Sequence, residues 1–200
     1  MGEVAVPQRV SDVLADFLNE LHYRVRREIA ELDEEALYWQ PDPGANSIGV
    51  TVWHFTRWLD VLSVRFLDGL ASDAEIWLAN GWAADTGYDP RGLGEGGLGV
   101  LTGYDIGQVL AIPRLSSPHL LAYQRQVLDR LRPQILRLSA EKLGGDAVGS
   151  AVMGARAAMT GGQRPIYGWL KLLLIGSFQH LGEIAALASM HARRDSLTGG

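Results

Sequence analysis

Four long stretches of this chain repeat apolar residues every three or four positions, and no stretch sustains a two-residue alternation. Period 3.6 marks a helix with one buried face, whereas period 2 marks a half-buried strand, so the pattern restricts the chain to an all-α fold. The first stretch spans Ser11 to Leu32, where Val10, Val13, Leu14, Phe17, Leu18, Leu21, Val25 and Ile29 share one side and charges fill the other. The second runs from Ile48 to Leu70, preceded by the turn cluster QPDPGANS, in which Asn46 or Ser47 can cap it, and closed by Gly69. The third covers Ser117 to Ala140 and contains Pro133, which should kink or divide it. The fourth extends from near Pro165 to about Arg193.

Between the second and third stretches the chain changes character. Glycines crowd residues 81–107 among Trp77, Trp82, Tyr88 and Tyr104, which predicts a long crossover with short helices near Ala74–Leu78 and Tyr104–Leu110. Its aromatics predict that the crossover packs on the bundle, and Trp77, Trp82 and Tyr88 could form a lid over its mouth. A second connection, GGDAVGSAVMGARAAMTGGQRP, reads as a loop or a weak helix. Two hundred residues then make one domain, with a bundle core at about 11–193 and a polar C-terminal tail at 194–200.

Composition removes several function classes. The chain has no cysteine, which excludes disulfides, thiolate ligands and a cysteine nucleophile. Its net charge is −5 and its 18 basic residues form no dense stripe, so nucleic-acid binding is not expected. The N-terminus lacks the basic and apolar regions of a signal peptide, and the run YGWLKLLLIGSF is too short to span a bilayer. A cytoplasmic protein without a membrane partner is the expectation. No nucleophile elbow, P-loop or dinucleotide fingerprint occurs. GLGEGGLG at 92–99 has neither a preceding strand nor a following Lys-Ser/Thr, and reads as a flexible loop.

The polar residues within the apolar runs carry the functional signal. His54 lies in VTVWHFTRWLDVL and His180 in WLKLLLIGSFQHLGEIAALASM, three residues before Glu183. Two imidazoles from separate helices can converge inside a bundle, as in helical-bundle metal sites. One turn before His180, where another ligand would serve, the chain has Gly176. A carboxylate would then have to contribute, and Glu183 shares the face of His180. The candidate metal ligands are therefore His54, His180 and Glu183. The plainer reading, which the sequence favours, is two buried histidines satisfied by hydrogen bonds. Glu183 could equally orient its neighbours or pair with Arg57. Arg57 and Asp60 should pair with each other on the surface, while His22, His119 and His191 should be exposed.

The segment LYWQPDPGANSIGVTVWHFTRWLDVL, the Gly- and Trp-containing crossover and the motif QHLGEIAAL together resemble the DinB/YfiT-like helical-bundle superfamily. The resemblance runs from about Ser11 to Met190, anchored on ANSIG-x4-H and HLGEI. It implies a DinB-like four-helix bundle with up-down-down-up connectivity, often as a homodimer. It also implies a divalent metal, zinc or nickel, held by three histidines. Two of these match His54 and His180, and the remaining one falls on Gly176. Relatives include thiol-dependent transferases and isomerases. The resemblance thus suggests a metal-dependent or formerly metal-dependent enzyme of thiol transferase or isomerase type, with weak or absent metal binding. The alternative is a non-catalytic small-molecule-binding or stress-associated protein. The sequence names no thiol cofactor.

Overall fold

The computed structural model describes residues 6–147 and 165–198, so most of the second connection lies outside the described residues. Helices α1 (Val10–Ile29), α2 (Glu34–Tyr38) and α3 (Ile48–Val61) come first, and α3 continues as a π-helical turn over Leu62–Leu67. The crossover holds α4 (Ile76–Ala79), α5 (Trp82–Thr86) and α6 (Ile106–Leu110), followed by α7 (Ser117–Leu136), α8 (Ala140–Gly144) and α9 (Ile166–Thr198). No strand occurs among the described residues, only an isolated bridge between Asp146 and Pro165.

Local chemistry explains most of the boundaries. Ser47 caps α3 by accepting from the Val50 amide at 3.4 Å. Gly69, at φ +67, ends the π turn, where the Leu70 amide reaches back to the Val64 carbonyl at 3.0 Å. The first helix ends at Ile29, just short of the expected Leu32, and a short helix that the pattern did not announce follows it, capped by Asp33 through the Ala36 amide at 2.9 Å. Pro133 does not divide α7. It sits in the last turn, close enough to the C-terminus that little helix is lost. The expected polar tail is helical as far as Thr198.

The four long helices form a ring in which α1 and α3 each pack on both α7 and α9. Contacts along the seams give the directions. Phe17 meets Phe178, while Val10 and Tyr167 line the same groove, so α1 and α9 run parallel. Ser117 bonds the Ile29 carbonyl, making α7 antiparallel to α1. His54 meets His180 and Phe66 meets Trp169, so α3 and α9 are antiparallel. The order is up-down-down-up, as the resemblance implied.

Helix α3 is the central element. Every residue from Ile48 to Val61 is buried except His54, which is half-buried. A helix apolar almost all round belongs in the middle of a core. Helix α9 is long and apolar enough to cross a membrane by length and composition alone, more so than its interrupted apolar run suggested. In the bundle it packs on α1 and α3 through Leu170, Leu174, Ile184 and Leu187. The Trp77, Trp82 and Tyr88 group is not a lid. Trp77 is wholly buried and wedges edge-on against Trp53 and Tyr123, with ring centroids 5.8 and 5.0 Å away. These aromatics pin the crossover to the core.

Candidate functional site

His54 and His180 face each other between α3 and α9. Their ring centroids lie 5.2 Å apart, nearly perpendicular, and Phe55 stacks on His180 at 6.2 Å. A cavity of about 180 Å³ opens beside them, walled by Phe55, Trp58, Trp169, Leu172 and Leu173, with Gly176 and Ser177 on the α9 side. Antiparallel packing brings these distant positions together, because both histidines occupy the seam where α3 meets α9.

Each imidazole has a hydrogen-bonded Nδ1. That of His180 lies 2.8 Å from Glu183 Oε2, within a pair that is partly open to solvent. That of His54 meets the Val100 carbonyl in the crossover. A carbonyl can only accept, so His54 Nδ1 carries a proton, and in the neutral ring Nε2 is then the unprotonated nitrogen. A carboxylate fixes the neutral His180 ring in the same tautomer. The outer partners are thus those typical of ligating histidines.

The donor set nevertheless does not fit a three-ligand metal. Glu183 is occupied as the acceptor of His180 Nδ1, and Gly176 offers no side chain. Among the described residues no group of three His, Asp or Glu is placed to hold an ion. Two imidazoles leave zinc or nickel short of the three protein ligands that a catalytic site normally supplies. The space for a side chain is nonetheless there, since a Cβ built at Gly176 meets nothing within 4 Å.

Arg57 and Asp60 do pair, at 2.9 Å, but in the interior rather than on the surface, both being wholly buried. The Arg57 guanidinium also reaches Glu75 Oε2 at 2.6 Å, Tyr123 Oη at 3.4 Å and, through Nε, the Gly99 carbonyl at 3.3 Å. It does not pair with Glu183. Asp60 accepts from the Ile76 and Trp77 amides at 2.8 and 3.0 Å and from the Tyr123 hydroxyl at 2.9 Å, which caps α4. Desolvation works against the Arg57 charge, but Tyr123, Asp60 and Glu75 outweigh it and raise its pKa. Burial pushes the Tyr123 phenol well above its usual range, with Asp60 adding to the effect, so Tyr123 remains a donor. Glu75 carried no signal in the sequence, since nothing local distinguishes it from a solvated loop acid.

Two of the remaining histidines also depart from expectation. His191 is buried edge-on against Trp39, with centroids 5.6 Å apart. His22 is half-buried and bonded to Gln124 at 2.8 Å. His119 is exposed as expected and bonds Ser116 at 2.7 Å.

The sequence profile of the DinB superfamily matches residues 18–184, and the chain belongs to that superfamily. The fold is also that of a solved structure described as a conserved protein from Enterococcus faecalis. The two align with a TM-score of 0.71 over 91% of this chain and 96% of the other, at 15% identity. No functionally curated protein shows a significant match.

Proposed function

We propose that this DinB-superfamily bundle holds a small, largely apolar molecule with one acidic hydrogen, such as a thiol, in the His54–His180 cavity, without a metal. The observation that carries this reading is the cavity itself, with apolar walls, two imidazoles in a defined tautomer and empty space where a third ligand would project. An unprotonated imidazole nitrogen accepts from S–H or O–H, and the aromatic walls suit an aryl or short alkyl body. At about 180 Å³ the cavity admits a fragment rather than a drug-sized ligand. The non-catalytic form of this reading is binding alone.

A second reading is favoured by the His180–Glu183 pair. With Nδ1 held by the carboxylate, the neutral ring keeps its other nitrogen as the proton acceptor, so His180 could take the proton of a bound thiol, as a thiol transferase or isomerase requires. Titration with benzenethiol, followed by the fluorescence of Trp58 and Trp169, tests both readings. Saturable quenching is expected, weakened at least tenfold in Gly176→Phe, which fills the cavity. Absence of saturation, or equal affinity in that variant, overturns the binding reading. Binding without thiolate absorbance overturns the catalytic one.

A homodimer is part of the same proposal. Val10 and Phe17 of α1 stand exposed beside Tyr167 and Ile175 of α9 along an apolar groove of about 690 Å³. Contiguous apolar surface of this kind marks an interface more often than a free face. Sedimentation at micromolar concentration should show a dimer that Phe17→Glu with Ile175→Glu dissociates, and a strictly monomeric wild type refutes it.

A further inference from the structure

We infer that Arg57 is a positioning residue for His54, acting through the main chain of the crossover. The inference rests on reading the His54–His180 cavity as the functional site.

Arg57 lies one helical turn after His54 on α3, and the two side chains engage consecutive carbonyls. Arg57 Nε donates to Gly99, and His54 Nδ1 donates to Val100. The two carbonyls belong to consecutive peptide units joined at the Val100 Cα, so a displacement of one is passed to the other. The guanidinium is held in turn by Asp60 on its own helix and by Glu75 from the start of the crossover. Its plane and reach are therefore set by two buried carboxylates before it meets Gly99.

The crossover backbone is bent to make this approach. Gly99 has φ +66, and a Cβ there would fall 2.4 Å from the Pro90 carbonyl oxygen, so only glycine fits. Two residues on, Leu101 has φ +77, the only non-glycine described residue with positive φ. Left-handed backbone at a leucine is disfavoured and persists where its surroundings over-determine it. Here it flanks the carbonyl that accepts from His54. Val100 itself is buried, which keeps water from competing for that carbonyl.

The consequence is chemical rather than merely structural. With the Val100 carbonyl fixed, His54 keeps its proton on Nδ1 and presents Nε2 as the basic nitrogen. Without it, nothing holds the proton of the neutral ring on Nδ1. Arg57 thus selects which nitrogen of His54 can accept from a ligand, without lining the cavity itself.

The test is long-range proton–nitrogen correlation on the ¹⁵N-histidine-labelled full chain, in chelator-treated buffer at about pH 8, above the ordinary imidazole range. A His54→Ala spectrum supplies the assignment. The wild type should show a protonated Nδ1 with widely separated ring nitrogen shifts. Arg57→Lys, which keeps the charge but loses the Nε donor, should reduce that separation at least twofold. Gly99→Ala displaces the same carbonyls without altering the guanidinium, and should do likewise if Arg57→Lys fails to fold. Arg130→Lys alters an arginine that bonds another crossover carbonyl, that of Ala74, and should leave His54 unchanged. An Nε2-protonated wild type, or folded Arg57→Lys and Gly99→Ala proteins with the wild-type pattern, overturns the inference. The readout needs no ligand. Loss of benzenethiol binding with the tautomer effect intact would sink only the cavity reading.

Discussion

Replacing Gly176 by histidine should turn the cavity into a zinc site. Gly176 precedes His180 by one turn of α9, and residues at that spacing hold their Cβ atoms about 5–6 Å apart on one face. A Cβ at Gly176 meets nothing within 4 Å and the position borders a cavity of about 180 Å³, so the usual overpacking penalty does not arise at the point of attachment. The helix gains a few tenths of a kcal/mol, because interior glycine costs about 1 kcal/mol relative to alanine and histidine at most about 0.7. Structural zinc sites with four ligands are worth roughly 10–16 kcal/mol, or about 3 kcal/mol per ligand, so a third imidazole should tighten zinc binding by about two orders of magnitude. Zinc at about 100 times the dissociation constant adds about 2.7 kcal/mol, which raises the melting temperature of a domain this size by roughly 5–10 °C. Calorimetric titration with thermal scans with and without zinc measures both quantities. Gly182→His serves as control, since Gly182 is exposed on the same helix with equal space around it. Equal zinc affinity in wild type and Gly176→His would refute the argument that the missing donor limits metal binding. Tight stoichiometric binding by the wild type would refute the donor-set reading altogether.

Other perturbations test the buried polar framework. Asp60→Ala removes one of the two buried carboxylates that hold Arg57 and uncaps α4; the loss should be about 3–5 kcal/mol, read as a melting temperature roughly 6–20 °C lower. Ser117→Ala removes the hydroxyl that donates to the Ile29 and Leu32 carbonyls at 2.6 and 2.9 Å and should cost about 1 kcal/mol in chemical denaturation. Burial raises the Tyr38 phenol to about 12, and the buried Tyr123 phenol is also raised. The folded state therefore binds more protons than the unfolded one above the ordinary tyrosine value of about 10, and this contribution is complete below that pH and lost as pH rises through about 12. Helical circular dichroism and tyrosinate absorbance should consequently change together in alkaline titration; phenols ionising freely near pH 10 in a folded protein would contradict this.

The helices were legible because the signal is local. A stripe of apolar residues at three- and four-residue spacing identifies a buried face wherever the rest of the chain lies, and Ser47 and Gly69 act on amides and carbonyls a few residues away. The stripe did not distinguish core from groove: Val10 and Phe17 belong to the apolar side of α1, yet they line an exposed groove. The first helix ended close to its expected limit, and α2, which no apolar stripe announced, starts on the local cap that Asp33 supplies.

The site was only half legible. The sequence alone determined that two histidines stand in apolar helices and that the position one turn before His180 lacks a donor. Those are facts of composition and helical register. Only the tertiary structure decided that the rings lie 5.2 Å apart and that Glu183 serves His180. It also took Arg57 and Asp60 from an expected surface pair to a buried one. Whether a charge faces water or another charge depends on what packs over it. Here that cover is Glu75, Tyr123 and the Gly99–Val100 backbone, brought to α3 by a crossover whose path is set by long-range packing rather than by any local pattern.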